Sequence, residues 1–508
     1  VTAEAILKPH SLRARLSDAL NPIVVKELRQ AVQSRFVAAA LMALLTIQLS
    51  AIALYLLTVR AVIEDFDAGR QVFMILLGIL LGACLLFVPI YTAVRLVAER
   101  SDTHVDLLFV TTIHPRSIVA GKMLAAAVLA VLIFSACMPF MTFTYFLRGI
   151  DLPTIFILLA LSFLVVMACT QLAVFIACLP VNRVFKTLFG LGGLVIFIMA
   201  FVAVMGSGVS MVNFGVGSSL TSWDFWGPAS AIMLISFALI GLLFILSVAL
   251  ITPPAANRAL PVRGYLTAVW LLTGVVAAIW SWAEKFQPPV IVWHIISNCI
   301  FAIAIFVAVS ERDRAGRRVL RTIPQHWLKR QLAFLYYSGA ASGLAWSCAM
   351  IGLTLNAAWA WVSLTVSFKE AHDLTESLKW IGGMCLYFYC YALSAASLRR
   401  HLFVWLGTEL TWLLGVTLMA LGSILPFLYG YLFLFSDQWW SKDIGVWLVG
   451  NPFAFSNDTH RELYVIVGSL WAALVTALNL HWFIARVRSF HPATNNAEPE
   501  EIIELGLS

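Results

Sequence analysis

Charge is what this chain has least of. Asp, Glu, Lys and Arg make up 12% of its 508 residues, against roughly 25% in an ordinary soluble domain. A soluble protein of this length must clothe two or more domains in polar side chains, and so few charges cannot cover them. Cysteine motifs are missing as well. Cys84, Cys137, Cys169, Cys178, Cys299, Cys348, Cys385 and Cys390 all fall in apolar runs, with no CxxC pair and no Cys/His cluster at zinc spacing. They read as small buried hydrophobes, not as a metal site or a disulfide framework. The first 35 residues contain no apolar h-region, so the first apolar run is expected to act as its own uncleaved targeting signal. Nucleotide chemistry lacks its motif too. The one Gly-Lys pair, Gly121-Lys122, is followed by Met123 and has Arg116 where a phosphate loop needs its first glycine. No HExxH motif occurs, which argues against a membrane-embedded metalloenzyme. The chain is therefore expected to be no enzyme, with no catalytic residue, cofactor or metal of its own.

What is abundant is apolar length. Hydrophobic residues reach 61% and the mean hydropathy is +0.91. Apolar runs of membrane-spanning length recur near 36–59, 72–94, 123–147, 154–179, 187–206, 230–252, 265–283, 289–310, 338–365, 379–398, 402–435 and 464–485. The expected fold is an all-α polytopic membrane protein of about 12 transmembrane helices in two six-helix halves. With the N-terminus inside, about 25 of the 33 Lys and Arg residues fall in inner loops, so the positive-inside rule selects both termini inside. That asymmetry accounts for the net charge of +7. Basic residues spread over many loops do not make a nucleic-acid surface.

The expected organisation is a cytoplasmic segment 1–35 carrying an interfacial amphipathic helix, a six-span domain 36–255, a second six-span domain 256–485, and a cytoplasmic tail 486–508. Each half has a charged inner loop after its second span, 95–122 and 311–331. Each has a long outer loop before its last span, 207–229 with Trp223, Phe225 and Trp226, and 436–463 with Trp439, Trp440 and Trp447. These aromatics suit an interfacial belt, or a short re-entrant or surface helix over the mouth of a pathway. The inner loops open alike, Ala98-Glu99-Arg100 against Ser310-Glu311-Arg312. Paired six-span units are a plan that transporters use.

The stretch from Ala98 to Lys122 is too polar for a bilayer. Within it Val105, Leu108, Phe109 and Thr112 fall at i, i+3, i+4 and i+7, the stripe of a short amphipathic helix. Its apolar side needs cover, from the lipid interface or from a soluble partner.

Three pieces resemble one family. They are NPIVVKELRQAVQSR (Asn21 to Arg35); the loop with Glu99-Arg100, Asp106-Leu107-Leu108, Thr111-Thr112 and Gly121-Lys122; and ITPPAANRALPVR (Ile251 to Arg263). Their order relative to the spans is similar to that in permease subunits of ATP-binding-cassette transporters of the type-2 exporter class. The resemblance covers roughly residues 20–263; the second half is alike only in plan. The loop departs from the family pattern at Thr103-His104, where Gly-Thr often follows Glu-Arg, and at Pro115, which falls late. The resemblance implies that the loop is a coupling helix docked on a separate cytosolic ATPase, in two copies, which carries the ATP and Mg. Val105, Asp106, Leu107, Leu108 and Phe109 would then meet the ATPase, and Glu99 and Arg100 would anchor the helix start by ion pairs. Such a handle transmits motion only if both sides grip it.

Polar groups inside the apolar runs are functional candidates by default. Glu409 is expected about two turns into the eleventh span, paired with Arg399 or Arg400 or holding a proton or cation. His294 and His481 are expected at the interface. Gln48, Gln171, Asn298, Asn356 and Asn479 are expected to bond between helices. The run Tyr387 to Tyr391 reads as packing or as a cavity wall. In the second inner loop, Glu311, Arg312, Val319 and Ile323 are read as a second ATPase contact or as part of a lipid-bound helix. The leading expectation is an exporter permease in a bacterial cytoplasmic (inner) membrane, contacting lipid and pairing with a second permease chain or a copy of itself if one chain does not complete the pathway. A membrane scaffold or mechanical complex and an ion-coupled secondary transporter are the alternatives.

Overall fold

A backbone in a bilayer has no water to bond, and the helix satisfies each N–H and C=O within its own segment. The computed structural model describes residues 25–27, 29–30, 33–59, 67–101, 114–217, 220–253, 256–313, 317–367, 371–433, 445, 448–456 and 460–492, and among these no strand occurs. Twelve helices are long and apolar enough to cross a membrane. They are α1 (Arg35–Val59), α2 (Ala68–Ser101), α3 (Pro115–Phe146), α4 (Leu152–Cys178), α5 (Arg183–Phe214), α6 (Trp223–Ile251), α7 (Ala259–Glu284), α8 (Pro288–Ala308), α9 (Ala340–Leu364), α10 (Ala371–His401), α11 (Thr411–Phe433) and α12 (Arg461–Ser489). Each expected span lies on one of them.

The chain divides into two compact units, Val1–Thr252 and Pro253–Ser508, with six of these helices in each. Within the first, α2 packs on α1, α3, α4 and α5, and α4 packs on α3, α5 and α6. Within the second, α8 packs on α7, α9, α10 and α11, and α10 packs on α9, α11 and α12. The second and fourth helices are thus the hub of each unit. Sequence spacing makes them so. On α2, Phe73, Leu76, Leu77, Leu80, Leu81 and Cys84 are all fully buried, a stripe at steps of three and four residues that faces inward along the whole helix. On α10, Tyr387, Cys390, Ala392 and Ala395 are equally enclosed. Large apolar side chains on the other helices, such as Phe185, Leu188 and Met199 of α5, stay exposed, as lipid-facing positions should. All eight cysteines are free thiols, two of them half-buried.

Helix ends are set by local chemistry. Gly215 closes α5 with φ of +67°, a conformation that costs glycine nothing. Gly69 opens α2 against the end of α3, where an added Cβ would lie 2.0 Å from the carbonyl oxygen of Arg148; only glycine fits.

Three expected bounds change. Helix takes both ends of the inner loop placed at 95–122, because α2 runs on to Ser101 and α3 already starts at Pro115. The outer loop placed at 207–229 is mostly helix: α5 runs on to Phe214, and Trp223 to Trp226 form the first turn of α6. Residues 207–214 and 223–229 are apolar or small enough to prolong the helices. The short connection is tied down by Asp151, which accepts from the Gly217 N–H (2.9 Å), and by Thr154, whose hydroxyl accepts from the Val216 N–H (2.9 Å). The eleventh span starts later than expected, because residues 402–407 are irregular and a 3-10 turn, Thr408–Leu410, precedes α11. In the other outer loop, Trp439, Trp440 and Trp447 lie outside the described residues. Its described part folds inward: Phe455 is fully buried between Tyr387 and Tyr464, with ring centroids at 5.1 and 5.7 Å. The Tyr387 and Tyr391 hydroxyls donate to the carbonyls of Val449 and Gly450, each at 2.6 Å. The tyrosine run of α10 therefore packs, and holds this segment by its backbone.

Candidate functional site

A charged residue inside a helical membrane protein persists where another charge meets it. In the first unit that happens on either side of residues 102–113. Lys122 stands two turns into α3 and is 2% exposed; Glu27, in the short helical stretch ahead of α1, is 4% exposed. The Lys122 ammonium donates to Glu27 Oε1 at 2.6 Å. Arg95, near the end of α2, lies 3.8 Å from Glu27 Oε2, donates to Gln30 Oε1 at 3.0 Å and covers the Tyr91 ring at 5.0 Å. One carboxylate thus ties the N-terminal segment, the helix entering the loop and the helix leaving it. Removing either member of a buried pair leaves a charge uncompensated, at a cost of roughly 3–5 kcal/mol.

The second unit ties its own inner loop with the charges exchanged. Arg263 of α7, 4% exposed, donates to both oxygens of Glu311 at 2.7 Å. Its other terminal nitrogen reaches the carbonyls of Leu335 (2.9 Å) and Tyr337 (2.7 Å) and the Ser342 hydroxyl (3.2 Å). Glu311 also accepts from the Gly339 N–H, and Asp313 from the Ala340 N–H, each at 2.8 Å. Two carboxylates therefore sit on the free amides that open α9, where the helix dipole favours negative charge. Arg486 of α12 adds an ion pair to Asp313 at 3.2 Å. Beside this clamp, burial and the neighbouring Arg312 guanidinium lower the pKa of Arg258 below the ordinary arginine value.

The expected coupling residues are reached only at the edge. Glu99 and Arg100 belong to the last turn of α2, with their side chains outside the described residues. Val105, Asp106, Leu107, Leu108 and Phe109 also lie outside them. In the second inner loop the four candidates separate. Glu311 is the clamp's carboxylate. Arg312 pairs with Glu409 on the surface. Val319 and Ile323 pack inward, at 9% and 4% exposure. Pro324 breaks the apolar stripe, and a separate surface helix, Trp327–Tyr336, follows. Its Phe334 is buried against Phe483 and Phe490 (6.4 and 5.3 Å), while Trp327, Leu328 and Leu332 are exposed.

Glu409 is not two turns into a span. It lies in the exposed 3-10 turn ahead of α11, and its partner is Arg312 instead of Arg399 or Arg400. Arg400 bonds Asn479 of α12 and lies over the Trp482 ring at 4.2 Å. His294, in the second turn of α8, is fully buried among its neighbours; its Nδ1 lies 3.1 Å from the Asn298 amide nitrogen of the next turn. Gln171 of α4 bonds the Ser247 hydroxyl of α6 at 3.3 Å, a true interhelical bond. Asn356 turns back on its own helix, to the Gly352 carbonyl at 2.7 Å.

Glu27, Arg95, Lys122 and Arg263 are the clamp residues that reading along the chain overlooks. Arg95, Lys122 and Arg263 each stand as a lone charge between apolar or glycine neighbours; Glu27, between Lys26 and Leu28 in a charged run, carries no such signal. Their pairing has none either, because Glu27 and Lys122 stand 95 positions apart.

Residues 13–310 match the family model described as ABC-2 family transporter protein. The match takes in every helix of the first unit and ends at Ser310, one residue before the Glu311 of the second clamp. No curated protein matches the chain, and no solved structure does.

Proposed function

The chain belongs to the ABC-2 transporter family, and from that premise we propose that it is the permease of an exporter driven by a separate ATPase. The membrane components of this family work with a cytosolic ATPase subunit, and twelve helices long and apolar enough to span make this a multi-pass membrane protein. Two ATPase copies would engage the inner face of the complex in a bacterial cytoplasmic membrane. Binding and hydrolysis of ATP there would move the two six-helix units between inward- and outward-facing states. The handle would be the segment between α2 and α3, residues 102–113, with Val105, Leu107, Leu108 and Phe109 on the ATPase.

The observation that carries this reading is the first clamp. A loop that transmits force needs ends that do not give, and Glu27 holds both helices that border it, through Lys122 at 2.6 Å and Arg95 at 3.8 Å. An ion-coupled transporter would instead want a carboxylate deep within a span, and Glu409 stands at the very start of the eleventh, exposed and paired with Arg312.

Purification of the tagged chain from its native membrane tests the proposal. A co-purifying polypeptide with a phosphate-binding loop is expected, and ATP hydrolysis should track it through the column. Recovery without any ATPase, with transport that persists after ATP depletion, would contradict the proposal.

A further inference from the structure

The first unit contains an open apolar groove that runs along the hub helix α2 and ends at Arg95 of the clamp. It lies between α1 and α2 and encloses about 610 Å³. Its walls include Phe36, Leu41 and Leu44 of α1 and Phe87 and Ile90 of α2. From Ala83 to Arg95 it follows thirteen residues of α2, about 18 Å of helix. One leaflet of hydrocarbon is about 15 Å deep, so the groove is one acyl chain long.

Its head differs from its body. Arg95 closes it, with a side chain 31% exposed, at the end that the charge distribution assigns to the cytoplasmic face. Phe36, Phe87 and Tyr91 lead to it in sequence, with ring centroids at 5.6 and 5.7 Å. The Tyr91 hydroxyl is buried and has no hydrogen-bond partner, a costly state for a donor in an apolar setting. Tyr91 and Arg95 also line a small cleft that continues to Glu27 and Lys122. In that cleft Glu27 cancels one of the two cations, so the charged residues that line it sum to one positive unit. A long apolar slot, an unsatisfied hydroxyl and one surplus positive charge are together complementary to an amphiphile with a single anionic head.

We propose that this groove binds one anionic phospholipid of the cytoplasmic leaflet, its acyl chain along α1 and α2 and its phosphate on Arg95 and Tyr91. The phosphate oxygens accept from the guanidinium and from the Tyr91 O–H, which supplies the missing partner. The site is independent of whether the chain exports anything, because it is built within the first unit alone.

Native mass spectrometry of the complex, released from nanodiscs of equal phosphatidylglycerol and phosphatidylcholine, tests this. The wild type should retain one phosphatidylglycerol, preferred about fivefold, the contribution of one cation at the leaflet surface. Ala40→Trp, which fills the groove, should abolish retention. Arg95→Gln should remove the preference between the two lipids, and Tyr91→Phe should weaken retention of both. Equal retention of the two lipids by the wild type would overturn the proposal. So would an Ala40→Trp variant that elutes as the wild type does and still holds phosphatidylglycerol, or an Arg95→Gln variant with the preference intact.

Discussion

The two units solve one structural problem with opposite charges. In the first, a buried carboxylate, Glu27, gathers the two cations that flank the inner loop, Arg95 and Lys122. In the second, a buried guanidinium, Arg263, gathers a carboxylate and three other acceptors around the loop between α8 and α9. The central group comes from ahead of α1 in one unit and from within α7 in the other. The hub helices, meanwhile, have the same neighbours in both. What is repeated is packing, which needs only apolar residues at helical spacing and tolerates drift in their identity. The charged ties are not interchangeable piece by piece, so each unit has kept its own.

The comparison can be broken most forcefully at Lys122. Lys122→Met leaves the buried Glu27 with only the longer contact to Arg95, 3.8 Å away, and should cost about 3–5 kcal/mol, read as a fall in the unfolding temperature of the purified protein. The double variant Glu27→Leu, Lys122→Met should recover most of that loss, because no charge is then stranded. Equal losses in the single and double variants would show that the pair is not coupled. Arg263→Ala should cost less, about 3 kcal/mol, since Glu311 is one-quarter exposed and water can reach it. Smaller still, Tyr391→Phe removes the hydroxyl bond to the Gly450 carbonyl and should cost about 1 kcal/mol, with faster proteolysis of the 445–456 segment. Glu409→Gln should shift stability by about 0.5 kcal/mol or less, because its pair with Arg312 is exposed on both sides. Transport by that variant should equal wild type; its loss would restore Glu409 as an intramembrane ion site.

Hydropathy made the twelve spans legible, because burial of twenty apolar residues overrides every local preference. It misjudged their ends. Residues 207–214 and 223–229 are less apolar than a span centre yet still helical, and a window average cannot see where a helix outruns the bilayer. Glu409 looked intramembrane because Leu402, Val404 and Trp405 precede it; those side chains are exposed and irregular, and the helix waits for Thr411. His294 lies near the start of α8, and its burial there follows only from the fold. The clamps were least legible. Lys122 was visible as a charge at the edge of a span, but that its partner is Glu27 follows only from the fold.

The central claim is that the segment between α2 and α3, residues 102–113, is where a separate ATPase grips this protein. It is tested most directly by the ATPase activity of the reconstituted complex, with Leu108 and Phe109 both replaced by Glu. A separate handle predicts intact, correctly folded helices, a bound or weakly bound ATPase, and hydrolysis that no longer responds to the permease or drives transport. Stimulation of hydrolysis equal to that of the wild type would contradict it.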